Sequence, residues 1–438
     1  MMHFIGFDHL LIRRCARHVL VCFAAGCFFA ANSMQVLGQE VVRDPFFGLH
    51  IHNSDRGTAW PKARFGAWRL WDASVAWPDL EPRRGRWDFA RLDRYVAFGE
   101  RFGIDILLPL GLSPNWASAR PNEKSAYNQP GYAAEPADLK DWNRYVRTVA
   151  ERYLGRIRHY DVWNEVNEAG FFSGSLKKMV ELTCEAQKVL REVSPENKVV
   201  SPSMIGVGVV PDRFEEFLSL GGKDCIDIVG YHFYVPHREP EEIVDLVRRI
   251  RAVMLRQGLA AIPLWNTESG WWFENADGSS EAAADRRWRR ITSSEGPAVV
   301  ARSLILGRWA GLERFYWYAW DNNVLGLIEP TSRETKPAGV AYETLVRWMS
   351  GKRPDCATTA DRWVCRLPST SPEILRLAWR TGVGPSEFAL PSAERLISVE
   401  RLDGSDDVEP EGVAARRSLP LGREPVLIRS TLPRLLRR

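Results

Sequence analysis

The sequence predicts an α/β fold, a (β/α)8 TIM barrel followed by a small C-terminal antiparallel β-sandwich domain. Three observations carry this expectation. Between about residues 45 and 350, eight short apolar runs alternate with longer stretches of helical periodicity, as in a parallel sheet wrapped by its own crossover helices. That region spans roughly 300 residues, close to the ~250 typical of such a barrel. Past Gly351 the helical periodicity stops and short runs punctuated by Gly, Pro and Asp take over. The rival, an open doubly wound sheet, loses weight because no Gly-x-Gly-x-x-Gly follows the first run.

The strands expected in order are Phe46–Ile51, Ala67–Trp71, Ile104–Leu110, Arg158–Trp163, Lys198–Ser203, Ile226–His232, Pro263–Thr267 and Arg314–Trp320. Helices are expected over Phe89–Phe102, Ala137–Leu154, Leu176–Val193, Pro211–Ser219, Glu241–Gly258, Ala298–Gly311 and Gly339–Ser350. Asp88, Asp138 and Glu241 stand near helix starts, where a carboxylate suits the exposed backbone N–H groups. Beyond Gly351, strand-like runs fall at Arg362–Leu367, Glu373–Trp379, Ser386–Leu390, Leu396–Leu402 and Pro425–Arg429. They suggest a small β-domain packed on the barrel. The tail from Val413 carries seven Arg and one Glu, and reads as a solvated end.

The first residues read as something other than fold. Arg13, Arg14 and Arg17 precede a 13-residue apolar run, Val19–Ala31, and small residues follow. This is the pattern of a secretory signal peptide, cut after Ser33 or Gly38, and the run is short for a span of ~20 residues. A lipoprotein or an uncleaved anchor are the lesser alternatives. The expected organisation is a signal peptide over 1–38, a catalytic barrel over 41–350 and an accessory β-domain with a basic tail over 351–438. The protein would be exported, to the periplasm or beyond. Four cysteines lie past the signal, Cys184, Cys225, Cys356 and Cys365. They allow three pairings, of which Cys356 with Cys365, nine residues apart across an expected turn, is the plausible bridge. No Cys or His spacing suggests zinc.

The composition is that of an ordinary globular chain, 45% hydrophobic and 26% charged over 438 residues. Collagen-like, coiled-coil and disordered classes are thereby excluded. A net charge of +4 makes no strong case for nucleic acid. The unusual feature is 18 Trp against 11 Tyr, a surplus that suits stacking on flat apolar faces such as those of sugar rings. Core filling accounts for a share of it.

In a barrel, strand C-termini and the loops after them build the active site. Two acids fall there: Glu165 ends the fourth strand in Trp163-Asn164-Glu165, and Glu268 ends the seventh in Trp265-Asn266-Thr267-Glu268-Ser269-Gly270. A carboxylate at the end of an apolar strand is costly unless used or paired. Two facing carboxyl groups are the equipment of glycoside hydrolysis, one giving a proton and the other ionised. Environments that separate their pKa values assign the roles. Other candidates are less specific. His50 and His52 alternate at the end of the first strand, as sugar ligands or as ordinary hydrogen-bonded residues. Trp116, Trp271 and Trp272 suit stacking or loop packing, and so do Tyr127 and Tyr132. Glu168 reads as a loop carboxylate paired with a base. Arg286, Arg287, Arg289 and Arg290 around Trp288 read as a solvated run, with an acidic polysaccharide as the alternative partner.

The two Glu motifs resemble the strand-four and strand-seven signatures of glycoside hydrolase clan A. Within that clan the chain most resembles family 39, over about residues 45–350. Arg69-Leu70-Trp71-Asp72, Trp77, Glu81-Pro82, Gly85-Arg86-Trp87-Asp88-Phe89 and Ser113-Pro114-Asn115-Trp116-Ala117 fit the same pattern. The resemblance implies that Glu165 is the acid/base and Glu268 the nucleophile of a retaining reaction. It further implies that Asn164 binds the sugar 2-hydroxyl, that Tyr234 in Gly230-Tyr231-His232-Phe233-Tyr234 orients the nucleophile, and that His232 shares that strand-six pattern. Arg69 would keep Glu268 ionised, and Trp320 would form the floor under the scissile sugar. His52, Trp116 and Trp271 complete the expected substrate-binding set. The chain departs from the family in one place, with Val166 where the family usually has Pro after the strand-four Glu.

The expected function is therefore a retaining glycoside hydrolase of β-linked oligo- or polysaccharide, of the endo-acting kind associated with exopolysaccharide. The alternatives are an exo-acting β-xylosidase-like enzyme and a non-catalytic polysaccharide-binding barrel. No cofactor or metal is implied and no nucleic acid. The expected partner is the carbohydrate substrate, with room for a peripheral membrane or polysaccharide-export association.

Overall fold

The computed structural model describes residues 43–127, 129–206, 210–279, 288–408 and 416–432. The expected signal segment, Arg286, Arg287 and the end of the basic tail lie outside them.

Eight parallel strands form one sheet in the order β5-β4-β3-β2-β1-β10-β7-β6. They are β1 (Asp44–Leu49), β2 (Phe65–Arg69), β3 (Asp105–Leu110), β4 (His159–Val162), β5 (Lys198–Val200), β6 (Val229–His232), β7 (Leu264–Ser269) and β10 (Arg314–Trp317). Parallel bridges between Val200 and Ile228 and between Ile205 and His232 join β5 to β6 and close the barrel. All eight expected strands are present. Between β7 and β10 a parallel pair of two-residue strands, β8 (Trp272–Phe273) and β9 (Arg290–Ile291), was not anticipated.

Alternation along the strands sorts the side chains into two cores. Inside the barrel, Ala67, Leu107, Val200, Ile228, Trp265 and Tyr316 pack as one cluster. Outward-facing residues such as Trp68, Leu108, Phe315 and Trp317 join the helices in the large core. Two residues further along the same inward side stand Arg69, Pro109, Thr267 and Tyr318, of which Pro109 and Tyr318 line the cleft.

The helices follow the expected periodicity, at Ala90–Phe102, Leu139–Arg152, Leu176–Val193, Val210–Ser219, Glu242–Arg256, Gly296–Ala310 and Pro337–Met349. A short helix, Trp77–Leu80, precedes them. Asp138 caps its helix by accepting the Lys140 N–H at 2.8 Å, and Asp88 accepts that of Ala90 at 3.0 Å. Glu241 makes no such cap. Its carboxylate instead pairs with Arg302, a buried residue of the helix Gly296–Ala310. That helix buries nearly all of its first three turns, and near its end the Trp309 ring meets Trp363 of the terminal sheet.

The terminal sheet has six antiparallel strands in the order β11-β12-β13-β18-β15-β16. They are β11 (Asp355–Thr358), β12 (Arg362–Leu367), β13 (Glu373–Arg380), β15 (Arg395–Glu400), β16 (Asp406–Val408) and β18 (Val426–Thr431). Its two faces obey the period of two. Trp363, Cys365, Leu367, Leu377, Trp379 and Leu427 join the large core. Ala378 and Ile428 pack the other way, against Phe388 and Leu419. Those two belong to a ribbon of β14 (Glu387–Ala389) and β17 (Ser418–Pro420). The second layer of the expected sandwich is thus a two-stranded ribbon.

Two disulfides form, Cys184–Cys225 and Cys356–Cys365. The first ties the helix Leu176–Val193 to the turn Gly222–Cys225 across a separation of 41 residues; the second spans nine. Loop-closure entropy favours the longer loop, at about 4 against about 3 kcal/mol. Urea denaturation should therefore show Cys184→Ser destabilising more than Cys356→Ser, and the reverse order would count against a chain-entropy origin.

Candidate active site

Glu268 reaches the cleft because β7 carries an irregularity. Pairing with β6 steps from Tyr231–Asn266 to His232–Glu268, and pairing with β10 from Phe315–Asn266 to Trp317–Ser269. The extra residue in β7 re-aims Glu268 just past the inward-facing Thr267. Gly270 follows, and a Cβ there would lie 1.8 Å from the Tyr318 carbonyl oxygen, so only glycine lets the two strand ends meet.

Glu165 is aimed by a strained turn after β4. Trp163 and Glu165 have φ of 67° and 49°, left-handed conformations that cost roughly 1–3 kcal/mol each for residues with a side chain. Neighbouring bonds hold them. The Trp163 N–H donates to Leu110 and its indole N–H to Phe171. The Val166 N–H donates to the Ser203 carbonyl at 3.3 Å. Proline at 166 would lack that donor and would drive Glu165 toward extended backbone. Val166 therefore goes with this turn.

The side chains converge on a buried network. The Arg69 guanidinium, wholly buried, donates to Glu268 Oε2, Asp161 Oδ2 and Asn164 Oδ1, each at 2.9 Å. The Tyr234 hydroxyl donates to Glu268 Oε1 at 2.9 Å. His232 Nδ1 lies 3.0 Å from Glu165 Oε1 and 3.9 Å from Glu268 Oε1. One atom from each of Glu165, His232 and Glu268 falls within 4.8 Å of the others. A divalent ion would find three ligand atoms there, but they are already engaged with one another, Tyr234 and Arg69.

The two carboxyls differ in surroundings. Burial pushes Glu165 up to about 8, with Arg69 pulling it down and the nearby Glu168 and Asp72 carboxylates adding to the rise. Burial pushes Glu268 up to about 7, opposed by the Arg69 guanidinium in direct contact. Arg69 and Tyr234 contact Glu268 directly and not Glu165, so the negative charge of the pair is favoured on Glu268. Burial holds His232 down at about 3, so its ring is neutral. A neutral ring that donates from Nδ1–H to Glu165 leaves Nε2 as a bare acceptor, consistent with the lack of a partner there.

Above this network lies a cleft of about 1070 Å³. Asn164, Glu165, Tyr234 and Glu268 line it, with Arg69 and His232 directly behind. Four expected substrate-binding residues are placed elsewhere. The Trp320 indole is buried and donates to the Ala59 carbonyl at 2.9 Å. The Trp116 ring packs edge-on to Trp77, and its N–H goes to the Glu81 carbonyl. Trp271 is buried against Ser303 of the helix Gly296–Ala310. His52 sits behind Tyr318, ring centroids 5.1 Å apart, and donates its backbone N–H to Asp321. His50 gives its Nε2–H to the Thr267 carbonyl at 3.1 Å.

Tyr318 takes the position expected of Trp320. It lines the cleft and donates to Asp72 Oδ2 at 2.5 Å. Its signal in the sequence was parity: it is two residues past the inward Tyr316. Trp71, Tyr127, Tyr132 and Trp288 also line the cleft, and the Trp288 ring stands 5.2 Å from that of Tyr234. Asp161, the partner that holds Arg69 from inside the barrel, was likewise not singled out. Glu168 lines the cleft, and among the described residues it lacks the basic partner expected for it; its carboxylate accepts from the Asn167 amide. Of the arginine run, Arg289 turns to Glu239 and Glu295.

A family model described as glycosyl hydrolase family 10 matches residues 58–184. Among solved structures, the chain is similar to a family 39 glycoside hydrolase from the gut symbiont Bacteroides cellulosilyticus WH2. The two are 17% identical, with 90% of this chain and 82% of that one covered and a TM-score of 0.67. It is also similar to a monomeric β-xylosidase from Caulobacter crescentus CB15, at 17% identity over 84% of this chain and 90% of that one, TM-score 0.62. A family 30 endoxylanase from Clostridium papyrosolvens C71 matches at 11% identity over 84% of this chain and 90% of that one, TM-score 0.55. At such identities the likeness establishes the fold. The resemblance to clan A, and to family 39 within it, that the sequence motifs carried is borne out.

Proposed function

We propose that the protein is a retaining glycoside hydrolase of β-linked glycans, with Glu165 as acid/base and Glu268 as nucleophile. The observation that carries the reading is the placement of Glu165 and Glu268 oxygens within 4.8 Å, in surroundings that separate their protonation. Retaining pairs stand ~5–5.5 Å apart, whereas inverting pairs need ~6.5–9.5 Å for a water between them.

In the first step the Glu268 carboxylate attacks the anomeric carbon while Glu165 gives its proton to the departing glycosidic oxygen. The C–O bond breaks and a glycosyl ester forms on Glu268. In the second step Glu165, now a carboxylate, takes a proton from water, whose oxygen attacks the same carbon and releases Glu268. Tyr234 holds one Glu268 oxygen and Arg69 the other. Asn164, its amide oxygen fixed by Arg69, has N–H groups for the sugar 2-hydroxyl.

Endo action on an exopolysaccharide is the finer reading. The cleft slightly exceeds the ~300–1,000 Å³ of single-ligand sites, which supports room for more than one sugar unit. Export completes the proposal, on the basic and apolar pattern of the first residues. Incubation with β-linked polysaccharides should release a ladder of oligosaccharides by mass spectrometry, with the β anomer appearing first by proton NMR. Monosaccharide alone would favour the exo reading, and the α anomer first would overturn retention.

A further inference from the structure

The lining of the cleft has a charge that the rest of the chain does not. The chain holds 59 Lys and Arg against 55 Asp and Glu. Over its outer surface many carboxylates sit against arginine, as in Arg152–Asp93, Arg156–Glu100 and Arg256–Glu215. The described cleft lining contains Asp72, Asp79, Glu165, Glu168 and Glu268, with His237 as its one basic residue and no Lys or Arg. Among the described residues, no ion pair within 4 Å involves Asp72, Asp79 or Glu168 in that lining. Arg69, behind the cleft, is wholly buried and committed to Asp161, Asn164 and Glu268, and Arg56 and Arg91 act on Asp79 only through space.

Two of these carboxylates have no structural duty that needs a charge. Asp79 accepts the Ala76 N–H at 3.0 Å and so holds its own turn. Among the described residues Asp72 accepts only the Tyr318 hydroxyl, which a neutral amide oxygen would serve equally. Glu168 is exposed at the cleft, beside the Asn167 amide. Asp72 comes from the loop after β2 and Glu168 from the loop after β4, so they approach a bound glycan from different segments. Both nevertheless act on the Glu165 proton through space. Low-dielectric walls focus such a field into the cleft. A uronate or sulfate there would meet repulsion, and a protonated amine attraction.

We propose that the cleft selects β-linked glycans bearing unacetylated amino sugars, whose ammonium groups meet Asp72 and Glu168. This rests on the glycoside-hydrolase reading for the cleavage, but the charge preference is a binding property and is measured separately. The full chain carrying Glu268→Gln is titrated calorimetrically at pH 6 with three β-linked hexamers: glucosamine, N-acetylglucosamine and a uronate-containing one. The glucosamine hexamer should bind about tenfold more tightly than its N-acetylated counterpart at low salt, two exposed charge contacts contributing. The preference should shrink severalfold in about 0.5 M salt and disappear when Asp72→Asn and Glu168→Gln are combined. Hydrolysis of the same hexamers by the unaltered chain is followed in parallel. The binding preference without hydrolysis of any hexamer keeps the charge assignment and removes the glycosidase reading. Hydrolysis without the preference does the opposite. Equal or tighter binding of the neutral or uronate hexamer, or no binding of the glucosamine hexamer, overturns the proposal.

Discussion

Glu268→Ala is expected to lower kcat by about 10⁴-fold or more, the range seen when a nucleophile is removed from a unit that acts together. In the proposed mechanism the residue touches the anomeric carbon in both steps, so neither would proceed by its normal route without it. Truncation also leaves a small space beside Arg69 and Tyr234, two donors that formerly held the Glu268 oxygens. A small anion such as azide fits that space and its charge. Added azide should restore turnover of an activated β-aryl glycoside and yield the α-glycosyl azide, because it attacks from the vacated face. Glu165→Ala should behave differently. An activated leaving group needs no proton, so its first step should survive while deacylation slows, and azide should then give the β product. Activity of Glu268→Ala within tenfold of the parent, or the same azide anomer from both variants, would remove the assigned roles.

How much of this was legible in the sequence differs between strands and loops. The barrel strands were readable because each is an apolar run bounded by polar residues, and burial on both faces leaves little else such a run can do. Glu165 and Glu268 were readable as polar residues at the ends of such runs. Tyr318 was missed although its signal was present. Parity from Tyr316 puts it inward, whereas the choice of Trp320 extended the strand two residues past the point where the chain turns. Trp116 and Trp271 show the limit of residue type as evidence. Their rings face Trp77 and Ser303, and the direction in which a loop folds back is decided by contacts far away in sequence. The tryptophan surplus mostly fills the core. Trp68, Trp142, Trp163, Trp317 and Trp379 are fully buried, whereas Trp71 and Trp288 line the cleft. Glu241 looked like a helix cap from position alone. A buried Arg302 sixty-one residues on claims its charge more strongly than exposed N–H groups do.

Arg69→Gln should be the second most damaging change, and its signature lies in the pH dependence. Removing the guanidinium leaves Asp161 and Glu268 buried without their cation, a change that costs about 3–5 kcal/mol when one partner of a buried pair is lost. The cost is not constant with pH. Glu268 and Asp161 already have folded-state values above their ordinary ones, about 7 and about 6, because of burial. Without Arg69 both rise further. A carboxyl whose folded value exceeds its unfolded value binds its proton more tightly in the folded state. Stability is then intact below the unfolded value and falls as pH rises toward the folded one. The melting temperature of Arg69→Gln should therefore lie nearer the parent at pH 5 than at pH 8. The proposed mechanism requires Glu268 ionised and Glu165 protonated, so the parent kcat/KM should trace a bell between the two macroscopic values of the pair. In the variant the ascending limb should move to higher pH, because the ionised nucleophile has lost its cation, and Arg69→Lys should return part of the shift. A residue that only props up the barrel would lower the melting temperature equally at both pH values and leave the limb where it was.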